Sequence, residues 1–318
     1  MKDWLYTQEI YNLKPGSFDR KENTCVQQVF PYIGSLPVKR VTIDDIESFV
    51  QSLRMAGYSY STIKKAYEAV HACFRFYQIH RKIPTNPADG VRVSSGGRKL
   101  PLRVKYYTQP QLQMIQRECL RCYSNNIRVY PQGDLIIILA NTGIRVGELL
   151  ALTWNDVDFF NRSISIEKNA VQLKCRENNS RPEHHYKQFI QDSAKTSSSI
   201  RIVPLNQTAY DAFQRLRKIS NGKGLVAQSR HGKALNHSNI ARTLKRILQN
   251  LNFPANMIFG PHALRHSFAS ALISKGADIK KVSSILGHSS VTITYDYYIH
   301  FIPQDFSSTV ELLDSGDI

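Results

Sequence analysis

The chain has 318 residues, room for two domains of ordinary size. Its 42 Lys and Arg against 25 Asp and Glu give a net charge of +17 and a pI near 9.7, which favours a polyanionic partner, either nucleic acid or an acidic membrane. The longest apolar run, Leu135 to Ala140, is far too short to cross a bilayer, and the polar start MKDWLYTQEI is no signal peptide.

The charge is spread along the chain. Residues 1–100 carry 15 basic and 9 acidic side chains, a net +6, which leaves +11 for the rest. A basic tail would concentrate the charge instead, so both halves are expected to touch the same polyanion. The five cysteines are odd in number and scattered, as expected in a reducing cytosol rather than in a disulfide framework. Cys119 and Cys122 form a lone C-x-x-C with no second pair, a poor zinc site. A soluble intracellular protein is the expectation.

Residues 1–33 read as helical, interrupted by Pro15-Gly16, with Ser17 as the cap of the second part. Thr42 and Asp45 form a capping-box pattern. Behind it Ile43, Ile46, Phe49, Val50 and Leu53 make an apolar stripe that ends at Gly57. A third helix runs from about Ser61, with Ile63, Ala66, Val70, Phe74 and Tyr77 on one face and Pro84 as its stop. Lys64, Lys65 and Arg75 lie largely off that face and are candidate contacts to a polyanion. Residues 1–87 thus form a small helical module. Residues 88–105 are rich in Gly, Ser, Arg and Lys and read as a basic linker. Arg98, Lys99 and Arg103 there suit contact with a phosphate backbone.

The second domain spans 106–318. Thr108 with Gln111 caps its first helix. Asp134 to Ala140 is an apolar helix that feeds the turn Thr142-Gly143-Ile144-Arg145. Arg145 opens another helix, and Glu148 is placed to hold its guanidinium or a nearby backbone group. Alternation marks strands at 162–167 and 199–205. The second strand sets Ile200, Ile202 and Leu205 against Arg201 and Val203, with Lys195 in the turn before it. Between them, 174–192 reads as an inserted loop or extra hairpin. Its His184-His185 pair is a weak metal signal, because neighbours on a loop rarely close a site. Asn206 caps a helix to Ser220, and 236–250 is a basic helix bearing Arg242, Lys245 and Arg246, further candidate contacts.

Residues 260–300 hold an Arg, several His and a cluster of Tyr in a short span. His262 and Arg265 are three apart, so on a helix they share a face and suit an anion such as a phosphodiester. A tyrosine beside such a clamp has a phenol able to attack phosphorus. Tyr295, Tyr297 and Tyr298 are all available.

His262-x-x-Arg265, Leu286-Gly287-His288 and Thr294-x-x-x-Tyr298 with Tyr298-x-His300 resemble the C-terminal signature of the tyrosine recombinases, or phage integrase family. Upstream, 141–149 resembles the family's first arginine motif and 194–201 its lysine hairpin. The order Arg, Lys, His-x-x-Arg, His, Tyr is the family's, and the chain is most similar to the integrases of conjugative transposons. The resemblance implies a mainly α fold with a small antiparallel β-sheet, arranged as a two-domain DNA clamp. A helical core-binding domain and a mixed α/β catalytic domain would grip double-stranded DNA from two sides. It implies Arg145, Lys195, His262, Arg265, His288 and Tyr298 as the catalytic set, with Glu148 supporting. It selects Tyr298 over Tyr297 as nucleophile, and strand exchange through a 3′-phosphotyrosine and a Holliday junction, without metal or ATP. It also implies a homo-oligomer, dimer to tetramer on DNA, assembled through an apolar helix at 304–314. Conjugative-transposon integrases usually carry a further N-terminal domain for arm sites. No such domain is read here, which points to a shortened chain or a simpler recombinase. The alternatives are a type IB topoisomerase, which shares the chemistry, and a catalytically silent DNA-binding protein of the same fold.

Overall fold

The computed structural model of the protein describes residues 1–94, 104–175, 186–192, 200–229 and 231–301. It divides into two compact units, Met1–Pro101 with Gln172–Lys187 and Leu102–Val171 with Gln188–Ile318. Both are mainly helical, and the strands form small antiparallel sheets. No helix among the described residues is long and apolar enough to cross a membrane.

In the first unit the chain winds from Lys2 to Asn12 and then breaks at Leu13 and Lys14, whose backbone is extended. The next helix, α1 (Pro15–Thr24), begins at Pro15, and Ser17 lies inside it. This corrects the expected cap at Ser17. Proline forces its predecessor out of the helical region but is at home as the first helical residue, where no amide donor is needed. α2 (Ile43–Met55) starts as expected, with the Asp45 amide donating to Thr42 Oγ1 at 3.3 Å and the Thr42 amide to Asp45 Oδ2 at 2.8 Å. α3 (Tyr60–Ile79) starts one residue earlier than expected because Ser59 caps it through the Thr62 amide. Ile46, Phe49, Val50 and Leu53 of α2 meet Ile63, Ala66, Val70 and Phe74 of α3 in one core. Ile43, counted in the stripe, is half exposed at the helix start. Lys64, Lys65 and Arg75 are exposed on α3. Arg98, Lys99 and Arg103 lie outside the described residues.

The second unit is built around α5 (Gly133–Thr142), in which every residue from Gly133 to Ala140 is buried. A helix apolar on all sides needs neighbours on all sides. α4 (Gln109–Cys119), α7 (Gln207–Ser220), α8 (His237–Asn250) and α9 (His262–Ser274) supply them. Each fully buried Ile or Leu here contributes roughly 1.5–3 kcal/mol. α6 (Val146–Ala151) follows the turn at Gly143. The sheet orders β1 (Val157–Asp158), β2 (Ser163–Ile166) and β5 (Arg201–Pro204), all antiparallel, with Ile164 opposite Val203. β3 (Lys168–Lys174) and β4 (Tyr186–Asp192) pair as a separate two-stranded sheet at the two ends of the stretch read as an inserted loop or extra hairpin. Its His184-His185 pair lies outside the described residues.

The phase of β5 is opposite to the one expected. Arg201 and Val203 face inward, while Ile200 and Ile202 are more than half exposed. An arginine takes an interior position only where a carboxylate compensates it. Here that carboxylate is Glu148.

Candidate active site

Two turns and two helix starts bring the expected residues together. α5 ends on Gly143 in the left-handed region, at φ +66°. A Cβ there would stand 2.4 Å from the Phe268 ring, so both backbone conformation and packing require glycine. The tight turn places Arg145 as the residue that caps α6. α10 (Ile279–Leu286) ends on Gly287, also left-handed at φ +67°, and a Cβ there would meet the Arg201 guanidinium at 2.8 Å. His288 follows directly. The last described α-helix, α11 (Val291–Tyr298), carries Thr294 and Tyr298.

Glu148 is the hub. Its carboxylate accepts from the Arg145 amide at 2.8 Å, from Arg145 Nη1 at 2.7 Å, and from Arg201 Nη1 and Nη2 at 3.1 and 2.7 Å. Its side chain is only 2% exposed. Burial opposes its ionisation, but the hydrogen bonds and charge of Arg201, and then of Arg145, outweigh it and hold its pKa below the ordinary carboxylate value. Arg201 also donates to the Ile285 carbonyl at 2.6 Å, and Arg145 Nη2 donates to the Gly287 carbonyl at 3.0 Å. One carboxylate therefore ties the Arg145 turn to the turn that carries His288. Glu148→Gln leaves the buried Arg201 without its counter-charge. It is expected to cost about 3–5 kcal/mol in a urea or thermal unfolding experiment.

Arg265 comes from α9. Its Nη1 donates to the Gly143 carbonyl at 2.9 Å, two residues before Arg145. The side chain is buried, and its Nη2 has no hydrogen-bond partner among the described residues. Burial, and then the neighbouring Arg145 charge, pull its pKa down to about 9, still protonated at neutral pH. A buried, unpaired cationic donor is costly unless an anion completes it. Arg145 is left 39% exposed beside it. The two guanidinium groups, 120 residues apart in the chain, thus make one anion site.

The histidines line this site. His288 Nδ1 is 2.8 Å from the Thr294 hydroxyl, which is fully buried. That hydroxyl needs an acceptor, so Nδ1 accepts and Nε2 carries the proton, ready to donate. Burial first, then Arg265 and Arg145, push the His288 pKa down to about 3. His262 starts α9 with an open edge. Packing beneath it, then Arg265 and Arg145, lower its pKa too. His266, one turn further along α9, is pushed down to about 4 by burial, then by His262 and Arg265. Two of these groups are therefore held neutral in the folded protein but titrate near 6.5 when unfolded. The unfolded chain binds protons first, so stability is expected to fall as pH drops from about 6.5 towards 4, a trend read directly from urea midpoints across that range.

Tyr298 is buried at 1% exposure, in a cluster with Ala269, Ile273, Val282 and Leu286. Its hydroxyl lies 2.6 Å from His266 Nδ1. Burial raises its pKa above the usual phenol value despite the nearby Arg265. Tyr295 is half exposed, and Tyr297 sits against the His266 ring with centroids 5.6 Å apart. The structure thus gathers Arg145, Glu148, His262, Arg265, His288 and Tyr298. Lys195 lies outside the described residues, as does 304–314. Arg242, Lys245 and Arg246 are exposed on α8.

Two residues of this site escape sequence reasoning. Arg201 sits in a strand whose isoleucines suggested the opposite phase, although its spacing of two from the buried Val203 carried the correct one. His266 stands next to Arg265 and four residues from His262, a helical spacing that puts both histidines on one face.

Residues 108–304 match the model described as the phage integrase family. Over 332 positions the chain is 25% identical to a protein named tyrosine recombinase XerC-like from Caldanaerobacter subterraneus subsp. tengcongensis, covering 99% of this chain and 81% of that one. It is 24% identical to the transposase from transposon Tn916 of Enterococcus faecalis, over 84% of this chain and 65% of that one. Among solved structures, the Tn1549 transposon integrase in complex with a circular intermediate DNA superposes with a TM-score of 0.70 at 25% identity, covering 98% of each chain.

Proposed function

Because the chain belongs to the phage integrase family of tyrosine recombinases, enzymes that cleave and join DNA strands, we propose that it is the integrase of a mobile element of conjugative-transposon type. The observation that carries this reading is the buried Nη2 of Arg265, without a hydrogen-bond partner among the described residues, beside Arg145, with the phenol of Tyr298 on an adjoining helix. The likeness to the Tn1549 integrase supports the choice of substrate.

In this reading a backbone phosphate of duplex DNA takes the vacant donors of Arg265 and Arg145, whose planar forks suit two non-bridging oxygens. His288 Nε2 and His262 add hydrogen bonds that strengthen as charge builds up on those oxygens. Tyr298 attacks phosphorus, and Lys195 protonates the departing 5′ oxygen. The phosphotyrosine keeps the ester bond, so a second 5′-hydroxyl reverses the step and joins a new strand. Charge neutralisation comes from side chains alone, so the scheme needs neither a metal ion nor ATP. The positive excess of both halves supports duplex DNA as partner, and 304–314 is the segment through which copies assemble on it.

The test is a duplex carrying candidate element ends, nicked near the crossover so that the cleaved strand diffuses away. A protein–DNA covalent complex that forms in EDTA is the expected result. A protein that forms no adduct, or one that only relaxes supercoils as a monomer, overturns the proposal.

A further inference from the structure

Attack by Tyr298 requires that its phenol proton go somewhere, and the family signature names two histidines without settling which takes it. We propose that a third, His266, is the general base of strand cleavage, receiving that proton on Nδ1. The proposal rests on the recombinase reading above and adds a catalytic residue to it.

The geometry carries it. Among the described residues, the hydrogen-bond partner of the phenol is His266 Nδ1, at 2.6 Å, within the range of proton transfer. The other candidates are engaged differently. His288 turns its Nδ1 to Thr294 and offers a proton from Nε2. His262 lies edge-to-face on the His266 ring, with centroids 4.7 Å apart and planes at 84°, which fixes the tilt of that ring. Tyr297 flanks it on the α11 side.

The direction of the bond follows from satisfaction of the hydroxyl. Tyr298 is buried, and if His266 Nδ1 were the donor, the phenol hydrogen would have no acceptor among the described residues. The phenol therefore donates and Nδ1 accepts, leaving the proton of the neutral ring on Nε2. A ring held neutral keeps its lone pair free at physiological pH. Its low basicity reflects burial and then the adjacent His262 and Arg265, and a phosphate bound at Arg265 offsets that positive charge when the base is needed.

The step balances. The Oη–H bond of Tyr298 breaks and its proton goes to His266 Nδ1. The Oη–P bond forms as the P–O5′ bond breaks, and the 5′ oxygen leaves with a proton from Lys195. Rejoining runs the same transfers backwards, with the imidazolium returning its proton to the departing phenol.

The decisive experiment compares single-turnover cleavage of the nicked duplex by the parent protein, His266→Asn and His266→Gln. Each is made with tyrosine or with a fluorotyrosine, whose phenol is more acidic, at position 298. Both amides can accept the hydrogen bond but cannot take the proton. The expected result is a loss of roughly 10²-fold or more at unchanged DNA affinity, with the fluorinated phenol recovering at least about tenfold of it. Variants within about threefold of the parent overturn the proposal, as does a loss that the more acidic phenol leaves untouched, which marks a positioning role. A readout that needs no variant is the 15N shift of His266 in the parent protein. Nδ1 unprotonated and Nε2 protonated is expected, and the opposite tautomer overturns the assignment. Failure of the parent protein to form any adduct instead removes the recombinase reading itself.

Discussion

Tyr298→Phe forms no covalent adduct with a nicked duplex and binds the same DNA within about twofold of the parent protein, since no binding contact is assigned to the lost oxygen. The ring stays in its pocket beside Ala269, Val282 and Leu286, so the helix that carries it keeps its packing. What disappears, on the proposed mechanism, is the oxygen that attacks phosphorus, and the neighbouring phenols among the described residues are placed differently. Tyr297 lies against the face of His266, and Tyr295 is half exposed on another side of α11. The bond to His266 Nδ1 is also lost, which costs about 1 kcal/mol of stability, a small shift in a thermal scan. An adduct that persists in this variant shows that another residue is the nucleophile.

Arg265→Met separates stability from activity. The guanidinium is buried, its Nη2 has no partner among the described residues, and it is close to Arg145, an arrangement that burdens the DNA-free protein. An unbranched apolar side chain of similar length removes that burden, although it gives up the bond to the Gly143 carbonyl. The melting temperature is therefore expected to equal or exceed that of the parent. Cleavage is expected to fall by on the order of 10³-fold, because a preorganised donor to the developing charge has gone. Stability sacrificed for function at a site is the general pattern of such trade-offs. Arg265→Lys keeps the charge but not the fork, and its rate should fall between the two. A methionine variant that unfolds well below the parent contradicts this account of the site.

Most of the fold was legible where local chemistry was strong. The capping boxes at Thr42 and Thr108 and the cap at Asn206 set helix starts that the structure reproduces. The unbroken apolar run of α5 announced the centre of the second unit. That Arg145, His262, Arg265, His288 and Tyr298 lie close together was legible from their order along the chain, which no composition argument supplies. The misreadings share one cause, which is that tertiary partners override local pattern. Strand β5 buries Arg201 rather than its isoleucines because Glu148 waits for it on α6. Pro15 starts a helix that it was expected only to interrupt. The pairing of His266 with a phenol 32 residues away is invisible to local pattern, because only the packing of α9 and α11 brings the two together.

The most direct measurement traps the protein on a nicked duplex, digests it, and identifies by mass spectrometry the peptide that remains joined to DNA. A single adduct is expected, a 3′-phosphate ester on the oxygen of Tyr298. An adduct on Tyr295, on Tyr297 or on a residue outside α11 would contradict it.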